Sequence, residues 1–212
     1  MQNLVPLLKI NLKLASFKPV LYAILYLLFV PVINGISNLE AKYVAELLEK
    51  FISPVGVILF VPLCSPEENN MVKESVYIKP FAYEKIIGFR IMASVMILMV
   101  LLSFVTRVLV ACHCEFPVAG YMAGTMVTAM VTGCVGLSVA LTSNNTALGY
   151  FVAASYVLLN WSGIIDKSNS LYLFSLIDNQ FQQKKMLFII ACTCIIYNIT
   201  LLKWRKVNID RF

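Results

Sequence analysis

The sequence predicts an all-α polytopic membrane protein, and three observations support this fold class. Of the 212 residues, 60% are hydrophobic and only 13% are charged, whereas a soluble domain carries about 25% charged residues. The apolar residues are gathered into runs separated by short polar stretches. A bilayer crossing needs about 20 apolar residues to cover about 30 Å of hydrocarbon, so six crossings use about 120 residues. The remainder leaves no room for a soluble catalytic domain.

The N-terminal stretch predicts a helix that lies on the membrane surface before the first crossing. Residues 3–17 place leucines among Lys9, Asn11 and Lys13, a mixture typical of an interfacial amphipathic helix. The same stretch lacks the basic start, the apolar run and the small-residue cleavage site of a signal peptide. We therefore expect the first crossing, which has Pro19 near its start, to be kept as an anchor.

The apolar runs predict six crossings that together form one domain over residues 1–212. The second run is purely apolar only over 51–63, which is too short to span a bilayer. We therefore expect its helix to begin near Tyr43 and to kink at Pro54. The fourth run is rich in small and hydroxyl residues, which suit close helix contacts, and a tight turn is expected at 143–145. The predicted crossings are about 20–36, 43–64, 89–110, 118–141, 147–161 and 186–202.

The distribution of Lys and Arg predicts that both termini are cytoplasmic, because cytoplasmic loops carry an excess of these residues. In that orientation eleven of them lie inside, five lie outside and Arg107 lies within a helix. The inside residues are Lys9, Lys13, Lys18, Lys73, Lys79, Lys85, Arg90, Lys203, Arg205, Lys206 and Arg211, and the outside residues are Lys42, Lys50, Lys167, Lys184 and Lys185.

The longest polar stretch, residues 65–90, predicts a short cytoplasmic helix between the second and third crossings. Residues 71–78 are long enough for two helical turns. The turns end at Lys79 and Pro80, because the residue before a proline is pushed out of the α region. A helix then restarts and leads into the third crossing. A cytoplasmic motor protein could dock on such a helix, although a loop that is merely solvated is the alternative.

In this stretch the sequence resembles the permeases of type-2 ABC exporters, which export drugs, peptides, lipids and polysaccharides. Glu67 and Glu68 match the acid that follows the second crossing in that family. Glu74 matches the acid six residues before the family's proline, Pro80 matches the proline, and Arg90 matches the basic residue ten positions after it.

Two positions depart from the family pattern, while the general plan agrees with it. Met71 stands where the family has a glycine nine residues before the proline, and Gly88 lies one position short of the family's usual glycine. The surface helix, the six crossings, the two inside termini and a polar segment between the last two crossings are similar to the family's plan.

The resemblance implies a permease subunit that forms a homodimer or heterodimer in a bacterial plasma membrane. Its coupling helix would sit in a groove of a separate cytoplasmic ABC ATPase, to which ATP and Mg would belong. The chain has no GxxxxGK[ST] phosphate loop, so we expect it not to be an enzyme by itself, and we expect no cofactor and no nucleic-acid partner. The implied substrate is amphipathic: a peptide antibiotic such as a lantibiotic, a drug or a lipid. The implied coupling residues are Glu67, Glu68, Glu74, Lys79, Pro80, Phe81, Glu84 and Arg90.

Arg107 is an ionisable residue inside a predicted crossing, about 25 Å along the helix from Arg90. It could face a substrate path or a dimer interface, with Glu49 or Glu115 as its partner. It could equally extend its charge to the outer surface. Residues 168–182 could form a short external helix or a re-entrant piece that caps the path. Three threonines could line the path or serve ordinary packing: Thr125, Thr128 and Thr132.

The run Cys112-His113-Cys114 contains good ligands for zinc or copper, and the pair Cys192 and Cys194 is predicted near the same outer face. A lone CxC with one histidine lacks half of a four-ligand site, so we expect packing and no metal. Two other functions remain as alternatives: a membrane enzyme of thiol-redox or lipid-modifying type, and a receptor or assembly subunit that does not transport.

Overall fold

The structure is a computed structural model, and it describes residues 4–67, 83–167, 169–178 and 180–209. Over these residues the protein is all-α and has no strand. Four short pieces between 41 and 67 follow one another closely, and we treat them as one helix, α2. The six helices are α1 (Leu4–Asn34), α2 (residues 41–67), α3 (Tyr83–Ala111), α4 (Val118–Ser143), α5 (Thr146–Trp161) and α6 (Phe181–Ile209).

Four of these helices are long and apolar enough to cross a membrane. The qualifying stretches are Phe17–Asn34, Ile87–Ala111, Val118–Ser143 and Phe181–Trp204. Large apolar side chains such as Phe29, Phe104 and Ile196 are exposed on the outside of the bundle. Lipid tails suit such a surface and water does not, so the protein is a multi-pass membrane protein, as the composition predicts.

The first helix differs from its prediction. Instead of a separate surface helix over 3–17 followed by a crossing, α1 runs without a break from Leu4 to Asn34, with Pro19 and Pro31 inside it. No glycine lies between residue 4 and the end of the helix, and prolines are tolerated within membrane helices. The helix ends at Gly35, whose positive φ of 66° is the conformation that glycine adopts most readily.

The second helix changes its winding along its length. It consists of an α-helix (Ala41–Glu46), a π-helix (Leu47–Ile52), a second α-helix (Val55–Phe60) and a 3-10 helix (Val61–Glu67). In the π-helix, the Ser53 N–H donates to the Leu48 carbonyl at 3.0 Å, five residues back. Pro54, where a kink is predicted, lies between the π-helix and the second α-helix.

Helix α4 is the centre of the bundle, with 72% of its candidate span buried. It packs against α2, α5 and α6. A side chain at Gly56 of α2 would overlap the Ala129 carbonyl, and one at Gly136 would meet the Gly149 carbonyl of α5 at 3.1 Å. The close contacts predicted from the small residues of this helix are therefore confirmed.

Three connections between helices lie at one end of the bundle, and the first two, residues 35–40 and 112–117, are hydrogen-bonded to each other. The Asn38 N–H donates to the Cys112 carbonyl at 3.1 Å, and the Cys114 thiol lies 3.3 Å from the Ile36 carbonyl oxygen. We call this end the loop face, formed by residues 35–40, 112–117 and 162–180.

At the other end of α4, the tight turn predicted at 143–145 is confirmed. Asn144 ends α4 in the left-handed conformation, with φ of 52°. The Asn145 side chain then accepts hydrogen bonds from Ala147 N–H at 2.9 Å and Leu148 N–H at 3.4 Å, which caps the start of α5.

Candidate functional site

A buried ion pair joins α2 to α6 inside the bundle. The carboxylate of Glu49 pairs through Oε1 with the ammonium of Lys184. The Glu49 side chain is fully buried, and that of Lys184 is 6% exposed. A charge taken out of water costs several kcal/mol unless it is paired and hydrogen-bonded, so each residue depends on the other to remain charged there.

The local structure of each helix explains why these charges are buried. Glu49 lies in the π-helix of α2, where Leu47, Leu48 and Ile52 are buried as well. On α6, Lys184 is followed three and seven residues later by Leu187 and Ala191, which are both fully buried. Residues at this spacing share one face of a helix, so Lys184 begins the face of α6 that packs into the bundle.

Further hydrogen bonds complete the surroundings of the pair. The Lys184 ammonium donates to the Thr128 hydroxyl of α4 at 2.6 Å and to the Leu173 carbonyl. The second carboxylate oxygen of Glu49 accepts from the Leu176 N–H at 3.0 Å. With Glu49, Thr128 and Leu173 as acceptors, all three donors of the ammonium are used.

The backbone bonded to this ion pair belongs to the connection between α5 and α6. Residues 172–176 are buried, and we call them the plug. Asn160 near the end of α5 accepts from the Leu173 N–H through Oδ1 at 2.9 Å, and its amide donates to the Tyr156 carbonyl at 3.0 Å. The Tyr156 hydroxyl donates to the Leu171 carbonyl at 2.8 Å. Over its described residues, the connection is a run of turns with a buried central part, and the external helix that was one of the two predicted forms is not present there.

The ends of the plug connection are tied by an exposed pair. Lys167 donates to the Asp178 carboxylate at 3.0 Å, and this hydrogen bond raises the pKa of Lys167. The Lys167 side chain is 66% exposed, so water and salt screen this pair far more than the buried one. It therefore serves as a natural comparison for the pair beneath the plug.

The predicted pathway residues separate into two groups in the structure. Glu49 and Thr128 come together around Lys184, whereas Arg107 is exposed on α3 and Glu115 is exposed on the loop face. The suggested pairing of Arg107 with Glu49 is wrong, because the Glu49 carboxylate is taken by Lys184.

The other two threonines are buried and bonded within their own helix. Thr125 donates to the Tyr121 carbonyl at 2.8 Å, and Thr132 donates to the Thr128 carbonyl at 3.0 Å. These bonds satisfy the hydroxyls without a substrate path, as the packing alternative predicts.

The sequence does not predict the burial of Lys184, because a crossing that begins at 186 leaves Lys184 in the external connection. The helix instead starts five residues earlier, at Phe181. A run of two glutamines and two lysines gives no sequence signal for burial. The only indication was the acidic residue Glu49 in a predicted crossing, which required a basic partner.

Of the coupling residues implied by the family resemblance, Glu68, Glu74, Lys79, Pro80 and Phe81 lie outside the described residues. Glu67 ends α2, and Glu84 lies in the first turn of α3.

Arg90, the last residue of the polar stretch 65–90, lies inside α3 and is 2% exposed. Its Nη1 donates to the Leu63 carbonyl of α2 at 2.8 Å. We call this contact the clamp, because it joins the two helices that the 68–82 connection links.

The Cys112-His113-Cys114 run forms the turn after α3, and His113 has a positive φ of 61°. The Cys114 thiol is directed at the Ile36 carbonyl, while His113 is exposed. Among the described residues, no three His, Cys, Asp or Glu side chains converge as a metal site would require. Cys112, Cys114, Cys134, Cys192 and Cys194 are free thiols.

The arrangement closes the loop-face end of the bundle with a segment whose anchors are mainly polar. Each member of the ion pair also bonds the plug: Glu49 accepts from the Leu176 N–H, and Lys184 donates to the Leu173 carbonyl. The Leu173 carbonyl also accepts from the Thr128 hydroxyl at 3.4 Å. Comparison of the chain with protein-family models, with curated proteins and with solved structures finds no match.

Proposed function

We propose that the protein is the membrane permease subunit of a type-2 ABC exporter, which a separate cytoplasmic ATPase drives. In this proposal all six helices cross the membrane, including the broken α2 and the short α5. Both termini and the 68–82 connection are cytoplasmic, and the plug closes the outer end. The permease works with a second copy of itself or with a homologous permease, and it exports an amphipathic peptide, drug or lipid.

The observation that carries the proposal is the clamp between Arg90 and Leu63, read together with the acid, proline and arginine spacing of residues 67–90. The clamp holds α2 and α3 together close to where the connection leaves them. A displacement of the connection by a motor protein would therefore move two helices together instead of unravelling one. A loop that was merely solvated would need no such buried arginine.

The plug supports the same proposal from the opposite end. The π-helix of α2 carries Glu49, so one end of α2 leads into the 68–82 connection and the other carries one member of the ion pair that bonds the plug. A shift of α2 would act on both. In the proposal, α2 is the helix that switches between two positions and so links the motor to the gate.

The proposal is tested by purification of the tagged full-length chain from membranes of its host cell. An ABC ATPase should copurify, and chemical cross-links from it should fall within residues 68–82. Charge reversal by Glu68→Lys and Glu74→Lys together should abolish substrate-stimulated ATP hydrolysis while the complex still reaches the membrane.

The matched control is Glu115→Lys, which makes the same charge reversal at an exposed position of the loop face. It should leave ATP hydrolysis and transport unchanged. The proposal fails if no ATPase copurifies, or if the Glu68 and Glu74 double reversal behaves like the control.

A further inference from the structure

An apolar groove of about 460 Å³ lies between α1, α2 and α3, and no plug residue lines it. Ile52 and Leu109 form part of its buried floor, each 1% exposed. At its open side stand Leu28 of α1 and Phe104 of α3, which are 63% and 65% exposed. This volume falls in the range of ligand-binding clefts, roughly 300–1,000 Å³. It is about fifteen times the volume that one water molecule occupies in the liquid.

The lining of the groove limits what can occupy it. All thirteen lining residues are Ile, Leu, Val, Pro or Phe. An extended peptide would bring unpaired backbone N–H and C=O groups into a space without polar partners, which is costly. A packed membrane helix is also disfavoured, because such contacts are enriched in Gly, Ala and Ser, as α4 is and this groove is not.

A charge stands beside the groove. Phe104, Val105 and Val108 of α3 line it, and Arg107 lies on the adjacent face of the same helix, four residues before the helix ends at Ala111. The Arg107 side chain is exposed, and no described residue forms an ion pair with it. An arginine near a membrane surface can extend its guanidinium to the headgroup level, where it binds phosphate through two parallel hydrogen bonds.

We infer that the groove is a phospholipid-binding site, in which one acyl chain fills the space between α1, α2 and α3 and Arg107 binds the lipid phosphate. An acyl chain is narrow, flexible and without polar groups, as the lining requires. The phosphate supplies the anion that Arg107 lacks among the described residues. This inference does not depend on the proposed transport function, because no residue that lines the groove belongs to the plug or to the clamp.

The test uses the full-length chain in nanodiscs that contain phosphatidylglycerol with a photoactivatable group in the middle of one acyl chain. Mass spectrometry then maps the cross-links. In the natural chain, labels should concentrate on the groove-lining segments of α1 and α3, at least fivefold above the exposed face of α6 around Ile189 and Ile196. Val105→Trp fills the groove and should reduce that labelling at least fivefold.

The matched control is Val100→Trp, the same change on the same helix at a position that is 65% exposed and does not line the groove. It should label like the natural chain. Val108→Trp offers a second way to fill the groove if Val105→Trp does not accumulate in the membrane. Equal labelling of the two faces, or equal effects of the filling and control variants, would overturn the inference.

Arg107→Gln separates the headgroup contact from the acyl-chain contact. It should reduce labelling by phosphatidylglycerol at least threefold but leave labelling by the matching neutral diacylglycerol unchanged. Equal responses to the two lipids would overturn the role of Arg107.

The alternative occupant is a second copy of the chain. Efficient disulfide formation between copies at Leu28→Cys and Phe104→Cys, with the lipid labels absent, would assign the groove to that copy instead.

Discussion

Glu49 in the π-helix of α2 and Lys184 in the first turn of α6 form an ion pair within the bundle, and both also bind the backbone of the plug. The same two side chains therefore join helices far apart in the sequence and hold the plug in place. In a protein whose lipid-facing surface is uniform and apolar, such a pair gives the bundle one specific arrangement.

Removal of one partner of this pair should be more harmful than removal of both. Glu49→Gln or Lys184→Met leaves an uncompensated buried charge, and we expect each to lower the free energy of unfolding by about 3–5 kcal/mol. The double variant should recover at least half of that loss. Thermal unfolding in detergent, followed by circular dichroism, completes the double-mutant cycle.

The control for this cycle is Lys167→Ala, which breaks the exposed pair with Asp178. It should leave the unfolding temperature unchanged within error, because the exposed pair is screened by water. Additive effects of the two single variants would contradict a direct coupling between Glu49 and Lys184.

The approach of α2 to α4 predicts a strong position effect among glycines. A methyl group at Gly56 would overlap the Ala129 carbonyl, so Gly56→Ala should force the helices apart and cost about 1–3 kcal/mol. Gly88→Ala adds the same group where nothing lies within 4 Å, and it should stabilise α3 by up to about 1 kcal/mol. Opposite shifts of the unfolding temperature are expected, and two equal shifts would contradict the close approach.

The clamp predicts that the hydrogen bond from Arg90, and not only its charge, stabilises the folded protein. Arg90→Met leaves the Leu63 carbonyl without its donor, and we expect a loss of about 1–3 kcal/mol in unfolding free energy. Arg90→Lys keeps a donor and should lose less. In the proposed complex, Arg90→Met should also reduce transport for each ATP hydrolysed.

Lys185→Met replaces a basic residue by the same side chain at an exposed site of α6, and it should leave both the stability and the ATP coupling unchanged. If the two methionine variants were equally stable, the Arg90 contact would contribute nothing to the fold.

The plug should become accessible when its anchor on α5 is removed. Ser175 is fully buried, so a Ser175→Cys variant should react slowly with a thiol reagent that does not cross membranes. Asn160→Ala removes the acceptor for the Leu173 N–H and should accelerate this reaction at least tenfold. Ser170→Cys, at an exposed position, should react rapidly in both backgrounds. A Ser175→Cys rate that does not respond to Asn160→Ala would show that the hydrogen bond does not hold the plug.

The proposed orientation predicts opposite accessibility at the two ends of the bundle. In intact cells, a cysteine at Ser170 on the loop face should react with an impermeant reagent, whereas one at Asn144 in the α4–α5 turn should react only after the membrane is opened. The reverse pattern would place the termini outside, and with them the 68–82 connection.

Much of the bundle could be predicted from the sequence because lipid imposes a simple requirement on apolar length. The fourth crossing was expected at about 118–141 and is Val118–Ser143, and the turn that follows it was expected from its asparagines. Pro54 also marked the interruption of α2. In each case the signal is local: run length, turn chemistry or a missing backbone donor.

The buried charges could not be predicted in the same way, because their burial depends on partners distant in the sequence. Lys184 follows two glutamines and is predicted to lie in a connection, and Arg90 is predicted at the cytoplasmic end of a crossing. The first becomes part of a packed helix through Glu49, and the second through the Leu63 carbonyl. The continuity of α1 could not be predicted either, because an amphipathic stretch at the start of a helix does not indicate where that helix ends.

The two-residue link between α4 and α5 has a consequence for how the chain is made. Helix α5 has only 16 residues, about 24 Å, which is shorter than the hydrocarbon layer of about 30 Å. Its glycine-mediated contact with the longer α4 is already available when α5 leaves the ribosome. We therefore expect the insertion machinery to release these two helices into the lipid as a preassembled hairpin, with the rest of the bundle closing around it.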